Sequence, residues 1–489
     1  MLVFTLVFFT AFLYYIYFRR IRKPLYELSD TLSNIGSLPL IGHTHWFIGG
    51  PEKILKNVET FLERVDDSGG ITKLWIGPAL YVVTLIPEDV QKILETCLQK
   101  DNTYKYLQTW LGNGLFVAPV DLWKVHRRLL LPIFHNRIIE EYVDVFAEQA
   151  DVLVQRLDEQ CGQKDFDIYP YITSCMLDIV FETAMGERMD VQHHPDTPYL
   201  RARHTVMSII NLRLFKAWLQ PDALFNLTSY AKLQKESIDM THKFTDEVVN
   251  KKRELFEKNG HIASKGGRKD LLELLLERNN KFTNTELREH IDSITIAGND
   301  TTALVIAYAL MLLGCHPEHQ EMVYKEQETI FGDSSRSATK EDMNKMEYLE
   351  RVIKETMRLY MVVPIIGRKT DKELKLSTCT IPPGVGLAVV PFAMHRSRHL
   401  WGPDVHQFNP DRFLPENSAK RHPCTFIPFS HGTRNCIGRH FGMLAMKMIL
   451  STVLRKYKVS SDIHTCDRLK IEILLFPVGG HMISIQKRE

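Results

Sequence analysis

A single cysteine near the C-terminus lies in a setting that could hold it as a thiolate. Cys436 stands in FIPFSHGTRNCIGRHFG (426–442), and a long helical pattern begins directly after it. The N–H groups and the dipole at the start of a helix lower the pKa of a nearby thiol. Gly432 and Gly438 permit backbone conformations and close approaches that a side chain would block. Such a loop can present a sulfur ligand to a flat cofactor that rests against its backbone.

The residues around the cysteine decide between a ligand and an ordinary core residue. Taken alone, a cysteine is more often a quiet core residue than a ligand. Arg434, two residues earlier, could pair with an anionic cofactor group, for which a haem propionate is a natural candidate. The ligand interpretation is favoured by the complete pattern FxxGxRxCxG, formed by Phe429, Gly432, Arg434, Cys436 and Gly438.

A second pattern, KETMR, places Glu355 and Arg358 one helical turn apart. Its simplest interpretation is a surface i, i+3 pair of small energetic value. Apolar residues surround it, however, and a buried ion pair needs further partners. The segment FNPDRF (408–413) offers Arg412 as a third member, so we expect a structural network here.

The third pattern is an apolar helix, ITIAGNDTTALVIAYALMLLG (294–314), with polar residues at its centre. A glycine inside a helix costs about 1 kcal/mol relative to alanine, and threonine can bond back to the preceding turn. One interpretation is a kinked core helix. The other is a polar pocket in which Asp300 and Thr301 supply protons through water.

The fourth pattern, DLWKVHRR, places Trp123 and Arg127 one turn apart, and Arg368 follows the KETMR helix in PIIGR. An amphipathic helix with a basic face would explain the first pair equally well. In this order and spacing, the four patterns resemble the cytochrome P450 family, and the resemblance covers essentially the whole chain. It implies that Cys436 ligates the iron of a haem b, whose loop is shaped by the other FxxGxRxCxG residues.

The same resemblance implies roles for the remaining patterns. KETMR with Arg412 matches the family's structural ExxR feature, and AGNDT matches its oxygen-activation motif, with Asp300 and Thr301 as catalytic residues. The propionates are expected to meet Trp123, Arg127 and Arg434, with Arg368 as a further partner.

Other segments are most like the fourth family of eukaryotic cytochromes P450 and its insect relatives, namely DIVFETAMG (178–186) and HPEHQEMVYKE (316–326). Many members of that family carry a glutamate that bonds covalently to the haem. Ala297 stands at that position here, so we expect a non-covalent haem. His431 and Thr433 replace the usual alanine and proline of the cysteine loop; a solvent-facing role is favoured for His431 over one beside the sulfur.

The fold expected from the pattern is α+β and mainly helical: the cytochrome P450 fold with a small β region and a single N-terminal membrane anchor helix. ITKLWIGPALYVVTLI (71–86) predicts two strands around a turn. A glycine-containing break at 264–270 separates two helical segments, and a last helix is predicted at about 437–457. The expected organisation is an anchor at 1–18, a basic linker and hinge at 19–50, and a haem-thiolate monooxygenase domain at 51–489.

The anchor is predicted from MLVFTLVFFTAFLYYIYF (1–18), which carries no charge and is followed by RRIRK (19–23). As a helix this run spans about 27 Å, close to the hydrocarbon thickness of a thin bilayer. The basic cluster after the apolar run places the rest of the chain on the cytoplasmic side. A cleaved signal peptide is the competing interpretation. The proline-rich hinge usual after such an anchor is reduced to LPLIG, with Gly36 before it, which predicts a looser hinge.

Composition excludes several classes of protein. The formal net charge is +2, with 61 basic and 59 acidic residues, so nucleic-acid binding is not indicated. The eight cysteines are scattered without the spacing of a zinc site or a disulfide framework. The cysteines other than Cys436 are therefore expected to be buried hydrophobic residues in a reducing compartment.

The predicted function is a haem-thiolate monooxygenase at the endoplasmic reticulum membrane, with its catalytic domain on the cytosolic face. It would insert one oxygen atom from O2 into a lipophilic lipid, hormone or xenobiotic. The resemblance implies electrons from NADPH–cytochrome P450 reductase, with cytochrome b5 as a second candidate donor. Two alternatives stay open: a haem-thiolate isomerase or dehydratase of oxygenated lipids, and a non-enzymatic haem or lipid binder. A reductase-docking face is predicted from basic residues near the cysteine: Arg127, Arg128, Arg421, Arg439 and Lys447.

Overall fold

The computed structural model describes residues 2–38, 41–259, 268–278, 282–462, 464 and 468–488. Met1 and the first part of the predicted break at 264–270 lie outside the described residues. The α-helices, in chain order, are α1 (Leu2–Ile21), α2 (Lys23–Thr31), α3 (Pro51–Asp67), α4 (Pro87–Thr96), α5 (Lys105–Leu111), α6 (Val120–Leu130), α7 (Asn136–Glu140), α8 (Val143–Asp158), α9 (Tyr169–Met185), α10 (Pro198–Phe215), α11 (Asp222–Phe225), α12 (Ser229–Asn259), α13 (Leu271–Arg278), α14 (Asn284–Cys315), α15 (Pro317–Phe331), α16 (Lys340–Lys345), α17 (Glu347–Leu359), α18 (Pro391–Met394), α19 (Arg398–Trp401), α20 (Pro415–Ser418) and α21 (Arg439–Lys456).

The strands form small sheets at the edges of the helical body. They are β1 (Ile71–Ile76), β2 (Ala79–Thr84), β3 (Phe166–Asp167), β4 (Ile366–Lys369), β5 (Leu374–Lys375), β6 (Thr380–Ile381), β7 (Gly386–Val389), β8 (Tyr457–Ser460), β9 (Leu469–Ile471), β10 (Leu475–Pro477) and β11 (Met482–Lys487). The largest described sheet has the order β1-β2-β7-β4, with β2 and β7 parallel. The predicted strand pair at 71–86 is confirmed, and Gly77 turns between them with a φ of +52°.

Helix α14 is the centre of the helical core. A capping box starts it, since Thr283 accepts from the Glu286 N–H and the Glu286 carboxylate accepts from the Thr283 N–H. From Ala303 to Leu313 every residue is buried, because α9, α17 and α21 pack around this half of the helix. Gly314 allows the backbone near Ser460 to approach closely.

By length and hydropathy, α14 is also a helix that could cross a membrane. Its apolar window is 72% buried inside the protein. Its apolar character is therefore accounted for by packing within the core.

The N-terminal segments are helical. Helix α1 continues to Ile21, and α2 follows it directly. Helix α2 and the chain after it are packed on β1: the Thr72 hydroxyl donates to the carbonyl of Ser33, and the Trp75 indole N–H donates to the Ser29 hydroxyl. Much of the predicted hinge is thus attached to the sheet, whereas described side chains of α1 such as Phe4 are exposed.

Candidate functional site

A largely apolar cavity of about 320 Å³ lies between α14 and the loop that precedes α21. It brings together eight of the ten residues predicted for the site: Trp123, Arg127, Thr301, Arg368, Phe429, Arg434, Cys436 and Gly438. These residues come from α6, α14, β4 and the cysteine loop, which are far apart in the chain. A closed apolar cavity with a few polar groups directed into it is the usual form of a small-molecule or cofactor site.

The cysteine loop is held by its own backbone. The Cys436 N–H donates to the Phe429 carbonyl over 2.9 Å, and the Asn435 N–H donates to the Gly432 carbonyl. Ser430 has a φ of +62° and Gly432 a φ of +72°, so the chain turns sharply twice before the cysteine. Since Ser430 is not a glycine, its left-handed conformation is a strained feature that the loop maintains.

Cys436 faces the cavity while protein atoms surround it on nearly all other sides. The surface that remains open to it is therefore the cavity interior. Burial raises the pKa of the Cys436 thiol, whereas the Gly438 N–H and the Arg127 and Arg439 charges lower it. Gly438 caps α21, and a Cβ there would lie 3.9 Å from the sulfur. The sulfur thus has one backbone donor and two cations that favour its thiolate form.

Four cationic side chains line the cavity: Lys100, Arg127, Arg368 and Arg434. None of them has a carboxylate within 4.0 Å among the described residues. Instead, the Arg434 guanidinium donates to the Ala118 carbonyl over 2.7 Å and lies 4.5 Å from the Trp123 ring centre. The Arg127 guanidinium donates to the Asn435 side chain over 2.8 Å.

Several of these guanidinium nitrogens lack a partner. Nε of Arg127, Nε of Arg368, and both Nε and Nη1 of Arg434 are buried without a hydrogen bond within the described protein. Buried polar groups are normally satisfied, and buried cations are normally paired. The residues present therefore fit a flat apolar cofactor that carries carboxylates on one edge and accepts a sulfur ligand, as haem does.

Lys100 was not predicted from the sequence, although it belongs to this group of cations. It lies between α4 and α5, in a segment without a recognised motif. An isolated β-bridge pairs its backbone with that of Arg368 and so brings the two side chains to the same edge of the cavity. A lone lysine near a turn gives no signal in the sequence, because the bridge joins segments far apart in the chain.

The two predicted proton-delivery residues have different surroundings. Thr301 lines the cavity, and its hydroxyl donates to the Ala297 carbonyl over 2.7 Å, as expected for threonine inside a helix. Asp300 does not line the cavity. Its carboxylate forms an ion pair with Arg203 of α10, with an Nη2–Oδ2 distance of 2.5 Å, and accepts from the Asn299 amide. The partner of Asp300 was not predicted from the sequence.

The contacts of three further residues could not be read from the motif alone. Gly432 lies outside the cavity lining, and a Cβ there would overlap the Leu94 carbonyl, so its role is to let the loop approach α4. His431 contacts Glu95 over 3.1 Å, in line with the favoured solvent-facing role. The prediction that Lys447 belongs to a docking face is wrong, because its buried ammonium donates to the Met343 carbonyl and pairs with Glu350.

The predicted ExxR network is present beside the cavity. Arg358 donates to both carboxylate oxygens of Glu355 over 2.7 and 2.8 Å, and both side chains are fully buried. Arg412 lies 3.6 Å from the same carboxylate, which also accepts from the Asn409 N–H. Arg358 further donates to the His395 carbonyl. These extra partners meet the requirement of a buried ion pair and fix α17 against the segment before the cysteine loop.

The fold and the site define a haem-thiolate protein, and comparison with known proteins gives its family. A family model described as cytochrome P450 matches residues 34–483, and the chain belongs to that family. In structure it is similar to the crystal structure of cytochrome P450DA heme domain, with a TM-score of 0.82 and 22% identity over 94% of this chain and 98% of that one.

Its curated relatives belong to the fourth family, as the sequence motifs indicated. Cytochrome P450 4c3 of Drosophila melanogaster is 34% identical over 98% of this chain and 93% of the relative. Cytochrome P450 4V2 of Mus musculus is 36% identical over 92% of this chain and 88% of the relative. The human 4V2 protein is 34% identical over the same shares. The predicted cytochrome P450 fold, mainly helical with a small β region, and the monooxygenase class are thereby confirmed, whereas the membrane anchor stays a prediction.

Proposed function

We propose that this protein is a membrane-anchored monooxygenase of lipophilic substrates that holds a non-covalent haem b through Cys436. The observation that carries this proposal is the convergence of a cysteine thiol and four cations on one apolar cavity, where no described residue offers these cations a carboxylate partner. The haem, when bound there, supplies the oxygen chemistry, and the protein supplies position, charge and exclusion of water. Ala297 lines the cavity without a carboxylate, which supports a haem that is not covalently attached.

The chain's own residues then have distinct tasks. Cys436 would hold the haem iron through its sulfur, and the Gly438 N–H would stabilise the negative charge of that sulfur. Trp123, Arg127, Arg368 and Arg434 hold the carboxylate edge of the cofactor. The Thr301 hydroxyl lies in the cavity and can pass a proton towards the reacting oxygen, whereas Asp300 has to separate from Arg203 before it can carry one.

The proposed electron donor is NADPH–cytochrome P450 reductase, with cytochrome b5 as a second candidate. The docking face proposed for it is smaller than the sequence predicted, since Lys447 is buried and Arg127 lines the cavity. Arg128 and Arg439 are exposed near the cysteine loop and remain its members. Such rim cations chiefly raise the rate of encounter with an acidic partner.

The proposed site of action is the cytosolic face of the endoplasmic reticulum membrane. Described side chains along α1 are exposed and apolar, and its twenty residues span about 30 Å, enough to cross a bilayer. A second exposed apolar surface contains Trp218 and Leu227, which follow α10 and α11. Both surfaces suit contact with lipid, and a lipophilic substrate suits the apolar lining of the cavity.

The experiment that tests this function is product analysis with the purified holoprotein in lipid vesicles. Fatty acids, steroids, terpenoids and foreign compounds are supplied with and without NADPH and reductase, under 18O2. We expect a product that carries one 18O atom and forms only when NADPH and reductase are both present. A product formed without them would favour an isomerase or dehydratase, and ligand binding without any product would favour a non-enzymatic binder.

A further inference from the structure

Lys100 is a half-buried cation for which the motifs of the family give no role. Protein atoms cover part of its side chain, and it lines the cavity. Its ammonium lies 4.2 Å from the ring centre of Tyr104 and 4.3 Å from that of Phe116. The two rings meet edge to face, so they restrict the lysine side chain between them.

The described part of the protein supplies no anion to this lysine. Asp101 is adjacent in the chain, but its carboxylate accepts from the Thr103 N–H and hydroxyl and from the Tyr81 hydroxyl. No described carboxylate lies within 4.0 Å of the Lys100 ammonium. The charges that act on it are the guanidinium groups of Arg368 and Arg434, which have the same sign.

A lysine in this setting is unfavourable as an ammonium unless an anion joins it. Burial and the two arginine charges move the pKa of Lys100 well below its ordinary value. The backbone bridge between Lys100 and Arg368 places the lysine at the cavity edge, and the rings of Tyr104 and Phe116 hold its ammonium there. An incoming carboxylate would restore the charged form and form a strong charge-assisted hydrogen bond with it.

We propose that Lys100 is a carboxylate-binding residue of the cavity, held between Tyr104 and Phe116 for that purpose. Two sources of carboxylate are available under the proposed function, on which this inference rests: a propionate of the bound haem, and the head group of a lipophilic acid bound as substrate. The four cations exceed the two charges of the propionates by two, so the charge balance admits either source.

The test compares Lys100→Met with Lys100→Arg and with Lys105→Met in the purified holoprotein. Lys105 is the matched control, since it also lies beside a tyrosine ring, 5.1 Å from Tyr106, but lies outside the cavity lining. Three quantities are measured: the rate of haem transfer to apomyoglobin, the haem midpoint potential, and the binding of a C12 carboxylic acid against the C12 alcohol. Lys100→Arg keeps the charge and should resemble the wild type.

If Lys100 binds a propionate, Lys100→Met should lose haem about tenfold faster, as expected for a lost charge-assisted hydrogen bond. The haem midpoint potential of Lys100→Met should also fall, because this variant lacks a cation that stabilises the added electron. If it binds a substrate head group, haem loss stays unchanged and the affinity for the acid falls about tenfold relative to the alcohol.

The inference is overturned if Lys100→Met matches Lys105→Met in all three measurements. A failure of the proposed function would give a different result, because the wild type itself would then lack the Soret band of a thiolate-ligated haem. If Lys100→Met does not fold, Lys100→Gln gives the same comparison with a polar, uncharged side chain.

Discussion

At the scale of single residues, the cysteine loop was well predicted because its chemistry is local. Seventeen consecutive positions contain the proposed ligand, the turn residues and the cap of the next helix, so their spacing indicated the site. Lys100 and Arg203 were missed for the opposite reason. Each acquires its significance from a partner that is distant in the sequence, Arg368 for one and Asp300 for the other.

The Thr301 hydroxyl is the one predicted proton donor that lies in the cavity, and its substitution should uncouple the reaction. In Thr301→Ala we expect product formed per NADPH consumed to fall about tenfold, with hydrogen peroxide formed instead. Thr301→Ser keeps the hydroxyl and is the matched control. The measurement is a balance of NADPH, peroxide and product; equal coupling in the alanine variant and the wild type would remove Thr301 from proton delivery.

At the scale of secondary-structure elements, the sequence predicted which segments are helices and strands better than how they are joined. The strand pair at 71–86 and the helix after the cysteine follow from local periodicity and turn residues. Within the predicted linker and hinge at 19–50, Ser29 and Ser33 bond to β1, a contact that the sequence did not indicate. Side-chain contacts between different elements leave no periodic signal in the sequence. Lys447 was wrongly assigned to the surface for the same reason, because its partners lie on other elements.

The ion pair between Arg203 and Asp300 joins α10 to α14, and it should contribute to stability because both side chains are mostly buried. Removing one partner of a buried pair leaves an uncompensated charge, so Arg203→Met should lower the free energy of unfolding by about 3 kcal/mol. The control is Arg201→Met on the same helix, whose partner Asp196 is exposed. Denaturant unfolding of the holoproteins measures both, and similar unfolding midpoints for the two variants would contradict the prediction.

At the scale of the whole molecule, the fold class was predictable because the four motifs occur in one order along the chain. The position of α14 through the centre explains why its apolar pattern resembles that of a membrane span. The relation of α1 to a membrane depends on surroundings outside the chain, so it is tested by experiment.

Removal of residues 2–22, so that the chain begins at Met followed by Lys23, should release the protein from membranes. Most described side chains of α1 are exposed and contribute little to the core, so haem content should not change. After an alkaline carbonate wash we expect the full chain in the pellet and the truncated chain in the supernatant. A truncated protein that stays in the pellet would show that α1 is not the main anchor.

The exposed cations beside the cysteine loop should govern encounter with the reductase. Charge reversal in the double variant Arg128→Glu, Arg439→Glu is expected to slow reductase-supported turnover about tenfold while peroxide-supported turnover stays within about twofold. The difference should shrink as salt rises, because salt screens exposed charges. Equal losses in both assays would place the defect in the haem site and contradict a docking role.

The bond between Cys436 and the haem iron is the central claim, and the spectrum of the reduced CO complex tests it most directly. The wild type is expected to show the red-shifted Soret band of a thiolate-ligated haem, and Cys436→Ser should lose that band. Cys424→Ser, which alters a buried cysteine outside the cavity lining, should keep it. An unchanged Soret band in Cys436→Ser would contradict the assignment of the ligand and the function built on it.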